Sequence, residues 1–300
     1  MAKRRDVIIA VVIGMFFLCG LILFGFMFIG IMSEDGNLEF AGWGGNVGIV
    51  KVTGLINEEM GRPIIEQLDK WAENNSIKAI VVHVNSGGGG VAISQEIYDA
   101  VLRASEDKPV VASMASVAAS GGYYISCAAD RIIANPGTLT GSIGVIMQFH
   151  TAEGLMDKIG IGTETVKSGK LKDVGNYSRS MTKNEELMLR SVVMDTYEQF
   201  VEAVANGRGK DADDIYPLAD GSIFTGSQAF NLGLVDTLGG LKEAIDLAAN
   251  LADIDGEPKI VRPKPKKDAG LFDLLGGVFK SVGSTLETNQ TGPKLMYLYQ

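Results

Sequence analysis

The chain has 300 residues, 46% of them hydrophobic, and a formal net charge of −9 at pH 7, which excludes a wholly disordered chain and suffices for one sizeable domain with appendages. The acidic balance, without any basic stripe interleaved with aromatics, excludes a nucleic-acid partner. Two cysteines, without CxxC or His/Cys ligand spacing, exclude a disulfide framework and a zinc site, so no metal or cofactor is expected.

Val7 to Met32 is a run of 26 residues without a charge, and a membrane-spanning helix needs about 20. Lys3, Arg4 and Arg5 precede it and "SEDG" follows, so residues 1–6 are expected in the cytoplasm, 7–32 as a single-pass anchor and the remainder outside. A cleaved signal peptide is the rival reading, but the run exceeds an h-region and no A-x-A-like site follows. Cys19 does not make a lipobox, because the bulky Leu18 precedes it. Beyond the anchor the chain carries about −11, which disfavours binding to an anionic lipid surface.

After a linker at 33–45, the text alternates between strand-like and helix-like runs. "VGIVKVTGLI" (47–56) predicts a strand, 58–75 a helix started near Pro63, and "IKAIVVHVN" (77–85) a buried strand. Four glycines lead into a helix at 91–105; a strand at 109–114 leads into a helical stretch from Ser120 through Ala128. Further strands are expected at 130–136, 141–149 and 163–169, with a short helix at 152–158 between the last two. Thr182 and Glu185 form a T-x-x-E capping box opening a long helix to about Ala205, followed by helices near Asp213, at 227–232 and at 239–254. Repeated ββα-like units predict an α/β domain over 46–261 with a mostly parallel sheet. "RPKPKK" (262–267) reads as a linker to an apolar, glycine-rich segment (270–287) and the apolar tail "PKLMYLYQ", which usually has somewhere to dock.

Two strand-to-helix junctions carry the chemistry. "NSGGGG" (85–90) lacks the Lys-Ser/Thr of a P-loop, since Val91-Ala92 follow, and the next strand lacks the acidic residue of a dinucleotide site. Bare glycine amides at such a turn also suit an oxyanion hole. Ser120 stands at the next junction, followed by Gly121, whose N–H would point at whatever the hydroxyl attacks. Ala118 breaks the G-x-S-x-G pattern, so the residues alone leave Ser120 between a nucleophile and a helix N-cap serine. His83 and His150 both lie in strand-like text and read as structural, which leaves a Ser-His-Asp triad unsupported. A lysine can replace histidine as base if burial lowers its pKa from about 10.4. Lys167, Lys170 and Lys172 stand in "VKSGKLKDVG", which by itself is a charged surface turn.

The blocks "ASMASVAASGGYYISCAADRIIANPGTLTGSIGVI" (112–146), "VNSGGGG" (84–90) and "SGKLKDVGNYSRSMT" (168–182) resemble the signal peptide peptidase A family of membrane-bound Ser/Lys peptidases, in its half-length form. The resemblance implies a Clp protease/crotonase-like fold with one N-terminal transmembrane helix. It implies Ser120 as nucleophile, Lys172 as general base, Ser142 as the residue that orients the lysine, and the Gly89 and Gly121 amides as the oxyanion hole. Gly87 stands where relatives often have proline, which leaves the choice between Gly88 and Gly89 open, and Lys170 is an extra lysine without a following aspartate. It further implies a ring-shaped homo-oligomer such as an octamer, with the dyad shared between subunits, acting on apolar signal-peptide remnants at the cell membrane. Those peptides would bind extended, by strand addition. A catalytically silent scaffold on the same fold, or a crotonase-like thioester enzyme, is the alternative; coenzyme A chemistry would be oddly placed outside the cell.

Overall fold

The computed structural model describes residues 46–263 and the backbone of Met296–Leu298. The expected anchor at 7–32, the linker at 33–45 and the apolar segment at 270–287 lie outside the described residues. Among the described residues no helix is long and apolar enough to cross a membrane.

The first unit is β1 (Val47–Thr53), α1 (Glu58–Glu73) and β2 (Ala79–Ser86). Helix α1 begins five residues before Pro63, because the Asn57 side chain accepts from Met60 N–H at 2.9 Å and caps the end upstream. A short strand, β3 (Gly88–Gly90), then runs into α2 (Val91–Asp107), β4 (Val110–Ala119) and α3 (Gly121–Ser126). β5 (Arg131–Ala134), β6 (Leu139–Gly141), α4 (Glu153–Ile159) and the long α5 (Lys183–Arg208) follow. The domain closes with α6 (Ala212–Ile215), β7 (Ile223–Thr225), α7 (Gly226–Asn231), β8 (Thr237–Leu238), α8 (Leu241–Leu251) and β9 (Ile260–Val261); β10 is Met296–Leu298.

One sheet takes the order β7-β6-β4-β2-β1-β9, with β5 on β4 and β8 on β5. All its pairings are parallel except β6 with β7, as the alternation of strands and helices predicts. Its central strands are apolar on both sides because helices cover both faces. Val50, Val52, Ile80, Val82 and Val84 face the main core, to which α1, α2, α3 and α5 contribute. Val47, Ile49, Ala79, Val81 and Val111 pack with Ala244, Ile245 and Ala248 of α8.

Three expectations need correction. The strand expected at 109–114 runs to Ala119, because Val117, Ala118 and Ala119 pair with Leu139, Thr140 and Gly141. Alanines and serines have weak strand preference, so only the partner makes that stretch a strand. The strand expected at 141–149 is instead Leu139–Gly141, since Ser142 turns away with φ 51°. The segment 163–169 forms no strand at all: it has no partner, and Val166 stands fully in solvent. The capping box at Thr182 and Glu185 is present, and α5 continues to Arg208 before Gly209 ends it in a left-handed conformation.

Candidate active site

β4 widens the sheet toward the site. Its first half pairs with β5 and its last three residues with β6, so Ala119 and Gly141 are register partners and Ser120 and Ser142 leave adjacent strand ends together. Ser120 N–H donates to the Gly141 carbonyl at 2.8 Å, and Ser142 N–H donates to the Ser222 carbonyl at 2.7 Å. Thr140 Oγ1 donates to the Ala118 carbonyl at 2.6 Å and locks the two strands just ahead of the serines.

Ser120 is completely buried and has φ 53°, ψ −118°, a region that costs a non-glycine residue about 1–3 kcal/mol. It occupies the N-cap position of α3, yet its side chain caps nothing. Its Oγ has no hydrogen-bond partner among the described residues. A buried hydroxyl left unpaired carries a desolvation penalty of about 1–3 kcal/mol. A serine kept for capping would have used that oxygen.

The glycine loop lies beside it. A bulge between Val84 and Ser86 re-aims the end of β2, and Ser86 Oγ donates to the Gly54 carbonyl at 2.6 Å while accepting from Gly88 N–H at 3.0 Å. Gly88 has φ 104°, which only glycine adopts readily, and its amide is engaged by Ser86. Ile56 grips the loop from below, receiving Gly90 N–H at 2.8 Å and donating to the Gly88 carbonyl at 2.9 Å. A methyl group placed on Gly121 would lie 3.3 Å from Gly89 N and 2.9 Å from Ser94 Oγ, so the Gly89 amide nitrogen and Gly121 are neighbours. Gly121 opens α3, where amide N–H groups have no intrahelical acceptor.

β10 runs antiparallel along β3, with Met296 opposite Gly90, Tyr297 opposite Gly89 and Leu298 opposite Gly88. The glycine edge thus carries an extended segment of this chain as an added strand.

Lys172 is elsewhere. It sits in an exposed loop between α4 and α5, and its side chain has no hydrogen bond or ion pair among the described residues. Ser120 Oγ is unpartnered, so Ser120 and Lys172 are not hydrogen-bonded to each other within the chain. A groove of about 820 Å³ opens at Ser142, walled by Val145 and Ile146, by Met194 and Tyr197 of α5, and by Asp220.

Residues 103–255 match peptidase family S49, and residues 46–140 match the Clp protease family. A Synechocystis sp. protein named as a protease is 40% identical over 220 residues, 72% of this chain and 79% of its own. An Enterococcus faecium protein named for signal peptide peptidase SppA is 40% identical over 183 residues, 61% of this chain and 53% of its own. The chloroplastic serine protease SPPA of Arabidopsis thaliana is 34% identical over 221 residues, 73% of this chain and 33% of its own. The chain belongs to peptidase family S49.

It is thus a serine peptidase, and its histidines stand away from the candidate nucleophile. In this S49 chain, His83 Nδ1 lies 3.2 Å from Ser113 Oγ within the sheet. Burial, and then nearby Lys51, push its pKa below the ordinary histidine value. His150 is exposed beyond β6. Cys127 is buried, and desolvation raises its thiol to about 12, which makes it unreactive. Sequence reasoning missed Ser86 and Thr140, whose hydroxyls brace the two strand ends at the site. Ser86 stands within the quoted "NSGGGG" block, but nothing in that text marks its hydroxyl as the brace.

Proposed function

We propose that this peptidase is a membrane-anchored endopeptidase that degrades remnant signal peptides outside the cytoplasmic membrane, with Ser120 as nucleophile and Lys172 of a second copy as general base. The observation that carries this reading is Ser120 itself: buried, backbone-strained, capping nothing, with an unpaired hydroxyl, and followed by Gly121, which neighbours the Gly89 amide nitrogen. The groove at Ser142 supports entry of a lysine from outside the chain. Leu155, Ile159, Ile161, Val166 and Leu171 are exposed around the lysine loop, which supports a second copy covering that region in a ring-shaped oligomer.

In this reading the neutral Lys172 amine takes the Ser120 Oγ proton as Oγ adds to the scissile carbonyl carbon. The developing oxyanion receives the Gly89 and Gly121 N–H groups. Collapse expels the leaving amine, which takes the proton from the lysine ammonium and leaves an acyl-Ser120. Water then adds, losing one proton to the lysine, and the ester breaks to a peptide carboxylic acid with that proton returned to Ser120 Oγ; the acid ionises to solvent. Ser142 Oγ orients the lysine. Apolar, extended remnants would lie along β3 as β10 does, with main-chain hydrogen bonds holding them whatever their side chains.

Labelling by a serine-reactive fluorophosphonate tests the reading. It should be lost in Ser120→Ala and in Lys172→Ala and kept in Lys170→Ala; retained labelling in Ser120→Ala would sink the proposal. The tail makes a second expectation. β10 covers the edge that substrate needs, so deleting residues 289–300 should raise kcat/KM for an apolar peptide several-fold. Unchanged kinetics after the deletion would mean that β10 does not compete with substrate.

A further inference from the structure

Residues 160–182 contain no helix or strand, and Lys172 stands in their exposed middle, where a side chain needed for proton transfer would ordinarily be poorly placed. The next residue is not loose. The Asp173 side chain is only 11% exposed and accepts from Lys167 Nζ and from Arg179 Nε, the latter at 3.1 Å. Arg179 Nη2 also donates to the Asp173 main-chain carbonyl at 3.2 Å, so the guanidinium grips both side chain and backbone of the residue after Lys172.

The same guanidinium holds Glu185 in a bidentate pair, Nη1 to Oε2 at 2.9 Å and Nη2 to Oε1 at 2.5 Å. Glu185 is nearly fully buried, and its Oε2 accepts Thr182 N–H at 2.8 Å in the capping box of α5. The Arg179 pair, first, and then the Thr182 amide hold its carboxyl down at about 2. One planar side chain therefore joins the lysine-bearing segment to the first turn of α5.

We propose that Arg179 is the positioning residue of the general base: it fixes the Lys172-Asp173 segment to α5 through Glu185 and keeps the Asp173 carboxylate engaged, away from the neighbouring ammonium. This rests on the Ser120/Lys172 reading. The charged groups around the segment are Lys167, Lys170, Asp173 and Arg179 of the loop, Glu185 of α5, and Glu153 of α4, which accepts from Ser180 Oγ. Without Arg179 the loop loses its tie to α5, and Lys167 is the remaining partner that competes with Lys172 for Asp173. A fork of five donors makes all of these contacts at once, and a point charge can replace only part of the grip.

The test measures kcat, KM and pH profiles of the full-length enzyme on a fluorogenic apolar peptide. Arg179→Met should lower kcat roughly 10- to 100-fold with KM within about twofold, the scale expected for a base displaced by about 1 Å. The acid limb of its kcat/KM profile should move to higher pH, as a freed Asp173 favours the charged lysine. Arg179→Lys should recover part of the loss, and millimolar guanidinium should partly rescue Arg179→Ala. Wild-type kcat and pH limb in Arg179→Met would overturn the proposal. So would a loss accompanied by a collapsed thermal transition and no rescue by lysine or guanidinium, since that marks a residue needed only for folding. Full activity in Lys172→Ala would instead overturn the dyad on which the proposal stands.

Discussion

Replacing Ser120 by glycine is expected to abolish peptide hydrolysis, by on the order of 10⁴-fold or more, and at the same time to stabilise the fold. The first effect follows if Oγ forms the acyl bond, because no other side chain at the junction can take its place. The second follows from two costs that Ser120 imposes in the folded state. Its backbone sits at φ 53°, ψ −118°, where glycine is unstrained, and its buried hydroxyl has no partner. Relief of about 1–3 kcal/mol of strain outweighs the roughly 0.5–1 kcal/mol of extra chain entropy that glycine brings to the unfolded state. A net gain of about 1 kcal/mol corresponds to a rise of about 2–4 °C in Tm for a domain of this size. Ser120→Ala keeps the strain and removes only the hydroxyl, so its Tm should fall between those of wild type and Ser120→Gly. A lower Tm for Ser120→Gly than for wild type would refute the argument that the site stores strain.

Gly89→Ala should reduce kcat by about 10²–10³-fold, the loss associated with one oxyanion donor. A methyl there would stand 2.0 Å from the Ile56 carbonyl oxygen, and that oxygen is already committed to Gly90 N–H at 2.8 Å. The strand must move for the methyl to fit, and the Gly89 amide moves with it. Overpacking of this kind costs about 1–3 kcal/mol, so a fall in Tm should accompany the kinetic loss. Gly137→Ala is the control. A methyl at Gly137 meets nothing within 4 Å, and activity should stay within about twofold of wild type. Equal behaviour of the two variants would remove Gly89 from the oxyanion site.

Much of the architecture is legible in the amino-acid sequence because it depends on short-range patterning. The apolar run of β2, the helical spacing over 91–105 and the T-x-x-E box at Thr182 each encode a local structure that forms as read. The pairing of a glycine-rich turn with a serine at the next junction is legible too, since both follow strands that a parallel sheet sets side by side.

What the sequence could not decide are relations between distant segments. Val117 to Ala119 become a strand only because Leu139 to Gly141 lie beside them, and 163–169 fails to become one because nothing does. That Ser120 holds the N-cap position while its Oγ caps nothing is seen only in the folded chain. That the Gly88 amide is engaged by Ser86 Oγ is likewise visible only in the folded chain. The motif blocks name Ser120 and Lys172, 52 residues apart, but the folded chain leaves them unpaired, and the grip of Arg179 on Asp173 and Glu185 has no sequence signature. Local hydrogen bonds and side-chain periodicity are properties of neighbouring residues, and the sequence carries them directly. Register, burial and the partner of a hydroxyl belong to the packed whole, and only the tertiary structure decided them.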